Sequence, residues 1–144
     1  MSKAPGRRGR TRELLVQALY QMQVAGHDGD EILRQFHDRP EFSQVEAAFF
    51  DEAIREICAS LAECEADIAR YADRPLDQLD PVERGILLLG MFELRNRADI
   101  PFRVVINEAV NLSKRFGASD SHKFVNGLLD RAAPVLRAAE KGGA

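Results

Sequence analysis

The run ASDSHKFVNGLLD, residues 118 to 130, holds the side chains best suited to contact a ligand. Wound as a helix at about 100° per residue, it places Val125, Leu128, Leu129, Ala132 and Leu136 on one apolar face. Phe124 lies about 100° from the centre of that face, in a stripe with Asp120, Lys123, Gly127 and Arg131. An aromatic beside a lysine and a glycine, off the core face, offers a platform for something flat and anionic. Nucleic-acid bases stacking on a basic surface fit that description. The competing reading is that Phe124 packs against a neighbouring helix at the edge of the core.

A second group is the arginine-rich start, Arg7, Arg8, Arg10 and Arg12, before or in the first turn of a helix. Cations there oppose the positive end of the helix dipole, so helix stability does not explain them. Phosphate binding does, and a solvated tail is the alternative. Tyr20 falls about 160° from the apolar stripe of the same helix, an ordinary position for an interface aromatic. Asp77, Asp80 and Glu83 form an acidic connector, readable as capping residues or as a docking patch for a basic protein. His122 beside Asp120 and Ser121 has the residue types of a hydrolase triad. Neighbours on one helical turn point apart, however, and cannot act as one. There is no phosphate-binding glycine loop and no His/Cys spacing for a metal, so neither enzyme activity, cofactor nor metal is expected.

Charge is unevenly spread. The net value is −3, yet residues 1–12 hold Lys3 and four arginines with no acid, a local +5. Residues 41–80 hold eleven acids against three bases, a local −8, and residues 81–144 seven acids against ten bases, a local +3. Such a dipole of regions suits two partners, one anionic and one cationic. The longest apolar run, GILLLGMF, is too short to span a membrane, and the basic start lacks the apolar stretch of a secretory signal. Cys58 and Cys64 lie about 9 Å apart along a helix axis, on different faces. They read as free thiols in a reducing cytoplasm.

The elements that must position these residues are all helical. The first runs from Thr11 to Ala25, with Leu14, Leu15, Ala18, Leu19 and Met22 inward, and ends at Gly26. A short helix covers Asp30 to Asp38, and a longer one runs from about Ser43 to Ala72 with a break near Cys64. Asp80-Pro81-Val82-Glu83 starts a helix that is apolar nearly all round and therefore central. Gly85 and Gly90 within it allow close helix approach. Pro101 opens the next helix, Gly117 closes it, and Ser119 caps the last, which Pro134 bends. The expected architecture is a single all-α domain of six or seven helices in two three-helix sub-bundles, about 10–79 and 80–140. Residues 1–9 form a flexible basic arm, and the tail from Lys141 is frayed.

Three segments, RRGRTRELLVQALYQMQ, DPVERGILLLGMFEL and IPFRVVINEAVNLSKRFGASDSHKFVNGLLDRAAP, together resemble the NusB family of bacterial transcription antitermination factors. They cover nearly half the chain in the family's order. The resemblance implies a small helical protein that pairs with NusE, a ribosomal small-subunit protein. The pair binds the boxA element of nascent single-stranded RNA and, with other Nus factors, modifies RNA polymerase on ribosomal RNA operons. By the same resemblance, Phe124 stacks on a base and Asp120 accepts hydrogen bonds from base amino groups. Lys123, Arg7, Arg8, Arg10 and Arg12 take phosphates, while Tyr20, Asp77 and Glu83 lie at the NusE contact. Gly6 and Gly9 interrupt the arginine cluster. The resemblance leaves two oligomeric states open, a monomer and a homodimer that covers the RNA surface. Two readings compete: a protein–protein adaptor, and an accessory RNA-binding module without sequence selectivity of its own, as in NusB-like domains fused to ribosomal RNA methyltransferases. The sequence contains no βαβ pattern for a methyl donor.

Overall fold

A computed structural model describes residues 6–138, which form seven α-helices. These are α1 (Arg7–Ala25), α2 (Gly29–His37), α3 (Ala47–Ala59), α4 (Leu61–Tyr71), α5 (Pro81–Asn96), α6 (Phe102–Phe116) and α7 (Ser121–Leu136). Short 3₁₀ turns at Pro40–Gln44 and Leu76–Gln78 complete the path, and no strand occurs among the described residues. The all-α expectation holds. Residues 1–5 of the expected arm, including Lys3, and the tail from Lys141 lie outside the described residues. Arg7, Arg8 and Gly9 are already the first turn of α1, not part of an arm.

The position of α5 follows from its composition. A helix apolar on every side can bury all of itself only at the centre, and every residue from Gly85 to Leu94 is buried. Helices α1, α3, α4, α6 and α7 surround it. Each fully buried Leu, Ile or Phe there contributes about 1.5–3 kcal/mol from apolar burial. Gly85 and Gly90 work as expected: a Cβ at Gly85 would lie 3.4 Å from Leu19 Cβ, and one at Gly90 would lie 3.2 Å from the Leu129 methyls. Asp80 caps the helix, its Oδ1 accepting from the Glu83 N–H at 2.8 Å, with Pro81 at the first position. At the other end the guanidinium of buried Arg137 donates to the carbonyls of Glu93, Leu94, Arg97 and Ile100 at 2.6–3.0 Å. A cation among the last carbonyls is the favoured charge at a helix C-terminus.

Several boundaries differ from expectation. The long third helix breaks at Ser60, not near Cys64. The Ser60 hydroxyl donates to Glu56 O at 2.7 Å, a back-bond that competes with the helical pattern and bends the chain. The last helix starts at Ser121 with Asp120 in the capping position and no side-chain cap, so Ser119 does not cap it. Gly26 ends α1 in the left-handed conformation, φ 72°, which glycine reaches without steric cost. Gly117 ends α6 for a different reason. Its φ of −90° suits any residue, but a Cβ there would come within 2.8 Å of Ser113 O and 3.0 Å of Ser121 Cβ. Cys58 and Cys64 are free, as expected.

Candidate nucleic-acid interface

The start of α7 presents part of the expected stripe to solvent. Asp120 and Lys123 are highly exposed and 3.8 Å apart, one helical turn from each other. Phe124 is half-buried and packs against the core edge on one side. Over its ring sits the guanidinium of Arg74, 4.1 Å from the centroid. Arg131, at the far end of the stripe, is committed to structure. Its Nε and Nη2 both donate to Tyr71 O, at 3.0 and 2.7 Å, fastening the end of α4 to α7. Gly127 leaves room for this: a Cβ there would lie 3.3 Å from Arg131 Nη1. The stripe thus faces the α4–α5 connector.

The four arginines of α1 divide into two kinds. Arg10 is exposed and its side chain makes no hydrogen bond or ion pair among the described residues. Arg7 is also exposed, donating to Ser43 O and Val45 O at 3.1 and 2.9 Å. Arg8 and Arg12 point inward. Arg8 grips both oxygens of Glu46 and lies 4.4 Å from the centre of the Phe49 ring. Its hydrogen bond holds the Glu46 carboxyl below the usual carboxylate range, and the carboxylate in turn raises Arg8. Arg12 is 4% exposed and pairs bidentately with Glu93 of the central helix at 3.0 and 2.8 Å. Arg12 is thus committed to an ion pair inside the bundle. Glu93 lies on a helix surrounded by protein, and a buried carboxylate requires a charged, hydrogen-bonded partner. Between α1 and α6, Arg7, Arg8, Arg12 and Arg115 line a cleft of about 630 Å³, with Glu13 and Glu108 interspersed.

Of the three expected partner contacts, two are on the surface. Tyr20 is 43% exposed and, with Gln17, Val24, Arg39, Val82 and Phe116, lines an open, largely apolar groove. Asp77 is exposed on the connector but lines a different cavity, with Met22, Leu61, Glu65 and Arg84. Glu83 is placed differently. It is 5% exposed and accepts from Ser121 Oγ at 2.9 Å, tying α5 to the start of α7. An acid so placed holds the two helices together. The sequence reading missed Arg74, whose only local signal is its place in the connector.

No group of His, Cys, Asp and Glu among the described residues could hold a metal. No described helix is long and apolar enough to cross a membrane. The start of α7 thus groups a lysine, a half-buried aromatic and a neighbouring carboxylate.

Comparison with known proteins gives this surface a context. The model of the NusB family matches residues 9–134. Transcription antitermination protein NusB of Halorhodospira halophila is 49% identical over 138 residues, covering 94% of this chain and 88% of the relative. Its counterpart in Hydrogenovibrio crunogenus is 45% identical over 134 residues, covering 93% and 83%. That of Hahella chejuensis is 44% identical over 144 residues, covering 100% and 97%. A solved structure of NusB from T. maritima superposes with a TM-score of 0.79 at 34% identity, covering 92% of both chains. With a family model spanning most of the chain and relatives this similar over most of their own length, the chain belongs to the NusB family.

Proposed function

We propose that this protein is a non-catalytic antitermination factor that binds boxA RNA together with NusE during ribosomal RNA transcription in the cytoplasm. The observation that carries the reading is the start of α7, where exposed Asp120 and Lys123 flank the ring of Phe124. Single-stranded RNA is bound by this combination of stacking surface, cation and base-edge acceptor. Lys123, Arg7 and Arg10 are the proposed phosphate contacts, Phe124 the stacking residue and Asp120 the acceptor from a base amino group. Arg8 contributes through its pair with Glu46, as a support for the start of α1. The proposed NusE contacts are Tyr20 and its groove, and separately Asp77 on the connector and Glu83 at the start of α5.

RNA alone is expected to bind weakly, because the free cations are few, and the heterodimer more tightly. Filter binding of a boxA RNA against a scrambled RNA, with and without NusE, tests this. Selective binding that NusE strengthens supports the proposal. Binding of NusE without RNA selectivity favours the adaptor reading, and RNA binding indifferent to sequence favours an accessory module.

A further inference from the structure

Arg74 sits where a stacked base would have to go. Its guanidinium lies over the ring of half-buried Phe124, 4.1 Å from the centroid. Its side chain remains 40% exposed, and its carboxylate partner, at 3.2 Å, is the neighbouring Asp73, itself 68% exposed. Cation–π and ion-pair contacts at such exposed positions are weak. The chain that carries Arg74 is, by contrast, well held. Arg131 fastens Tyr71 before it, and buried Leu79 with the Asp80 cap fixes the chain after it. The backbone therefore keeps Arg74 beside Phe124 while the side chain is free to turn.

A guanidinium is permanently charged, stacks on aromatic faces and binds phosphate. On the RNA-binding reading above, on which this inference rests, a base approaching Phe124 meets that group first. We propose that Arg74 is an RNA ligand that changes partner on binding: it cedes the ring face to a base and takes the adjoining backbone phosphate. The free protein thus keeps its stacking surface covered by a cation that the ligand itself can use. Asp73, left behind, opposes misplaced phosphates at the same point.

The test is a titration of boxA RNA with the full chain, its Arg74→Ala variant and its Arg74→Lys variant over a series of salt concentrations. Loss of one phosphate contact on single-stranded RNA lowers the slope of log affinity against log salt by about 0.7. Arg74→Ala is expected to show that loss, with binding weaker by roughly fivefold at low salt, and Arg74→Lys to retain the slope. Circular dichroism should be unchanged in both, since the side chain is on the surface. If Arg74→Ala binds as tightly as the parent or more tightly, with the same slope, Arg74 is only a cover and the proposal fails. Phe124→Ala measured alongside separates the two readings. Loss with Phe124→Ala but not with Arg74→Ala removes Arg74 alone. A parent protein that does not prefer boxA to scrambled RNA removes both.

Discussion

Phe124 and Arg12 show how differently two candidate ligand-binding residues can be placed. Phe124 is half-buried, packed on the core edge with the Arg74 guanidinium over its ring. Phe124→Ala is accordingly expected to weaken boxA binding by about 1–3 kcal/mol, the usual loss for one stacked base. Helical content by circular dichroism should not change, and unaltered affinity would rule out stacking. Arg12 is the opposite case. Its charge is spent on Glu93, and both side chains are almost fully buried. Arg12→Ala would leave a carboxylate without its partner at the centre of the bundle, a change that typically destabilises by about 3–5 kcal/mol. Urea unfolding should show that loss, whereas Arg10→Ala, on an exposed side chain, should leave the midpoint nearly unchanged. Equal effects of the two substitutions would contradict the division of the arginines drawn above.

At the scale of elements, two joints around α5 and α6 rest on single residues. Asp80 caps the buried helix, and Asp80→Ala is expected to cost about 1 kcal/mol in thermal or urea unfolding. Gly117 lets α6 end against α7, with backbone Ser113 O in the way of any Cβ. Gly117→Ala should destabilise by about 1–3 kcal/mol, as overpacking does, and a neutral outcome would mean the turn can open without loss. These joints also mark what a sequence can reveal. The Asp80 cap, Pro81, the αL glycine at Gly26 and the apolar girth of α5 are decided within a few residues, and each was legible. The break at Ser60 was misplaced because a serine back-bond leaves the apolar periodicity on both sides intact. Partners distant in sequence were not legible at all: Arg12 finds Glu93 81 positions away, and Glu83 finds Ser121 38 positions away. Types and local spacing singled out Asp120, Lys123 and Phe124 as candidates, whereas the burial of Arg12 and Glu83 is decided only by the fold.

At the scale of the whole molecule, folding consumes much of the charge dipole seen along the chain. The acidic middle is largely paired internally: Glu46 with Arg8, Glu52 with Arg97, Glu65 with Arg84, Glu63 and Asp67 with Arg95, and Asp73 with Arg74. What remains for a cationic partner is confined to positions such as Asp77, not a continuous acidic face. The Arg8–Glu46 pair also joins the two ends of the chain's charge gradient, because it clamps the start of α1 to the entry of α3. Thr11 reinforces the joint, accepting from the Glu46 N–H at 2.8 Å and donating to Arg7 O at 2.7 Å. This joint should respond to acid in a defined direction. The hydrogen bond from Arg8 lowers the Glu46 pKa below its ordinary 4.5. A carboxylate depressed in the folded state stabilises the protein above its unfolded pKa, and that contribution disappears as pH falls through the folded value. Glu46→Gln should therefore lower the melting temperature at pH 7. The deficit corresponds to no more than about 1 kcal/mol, because the pair is one-third exposed to solvent and screened. The difference from the parent should hold down to about pH 4.5 and then shrink as the parent's own Glu46 is protonated. Thermal melts of both proteins from pH 7 to pH 3 measure it, and a deficit that stays constant across that range would show that Glu46 acts through packing rather than charge.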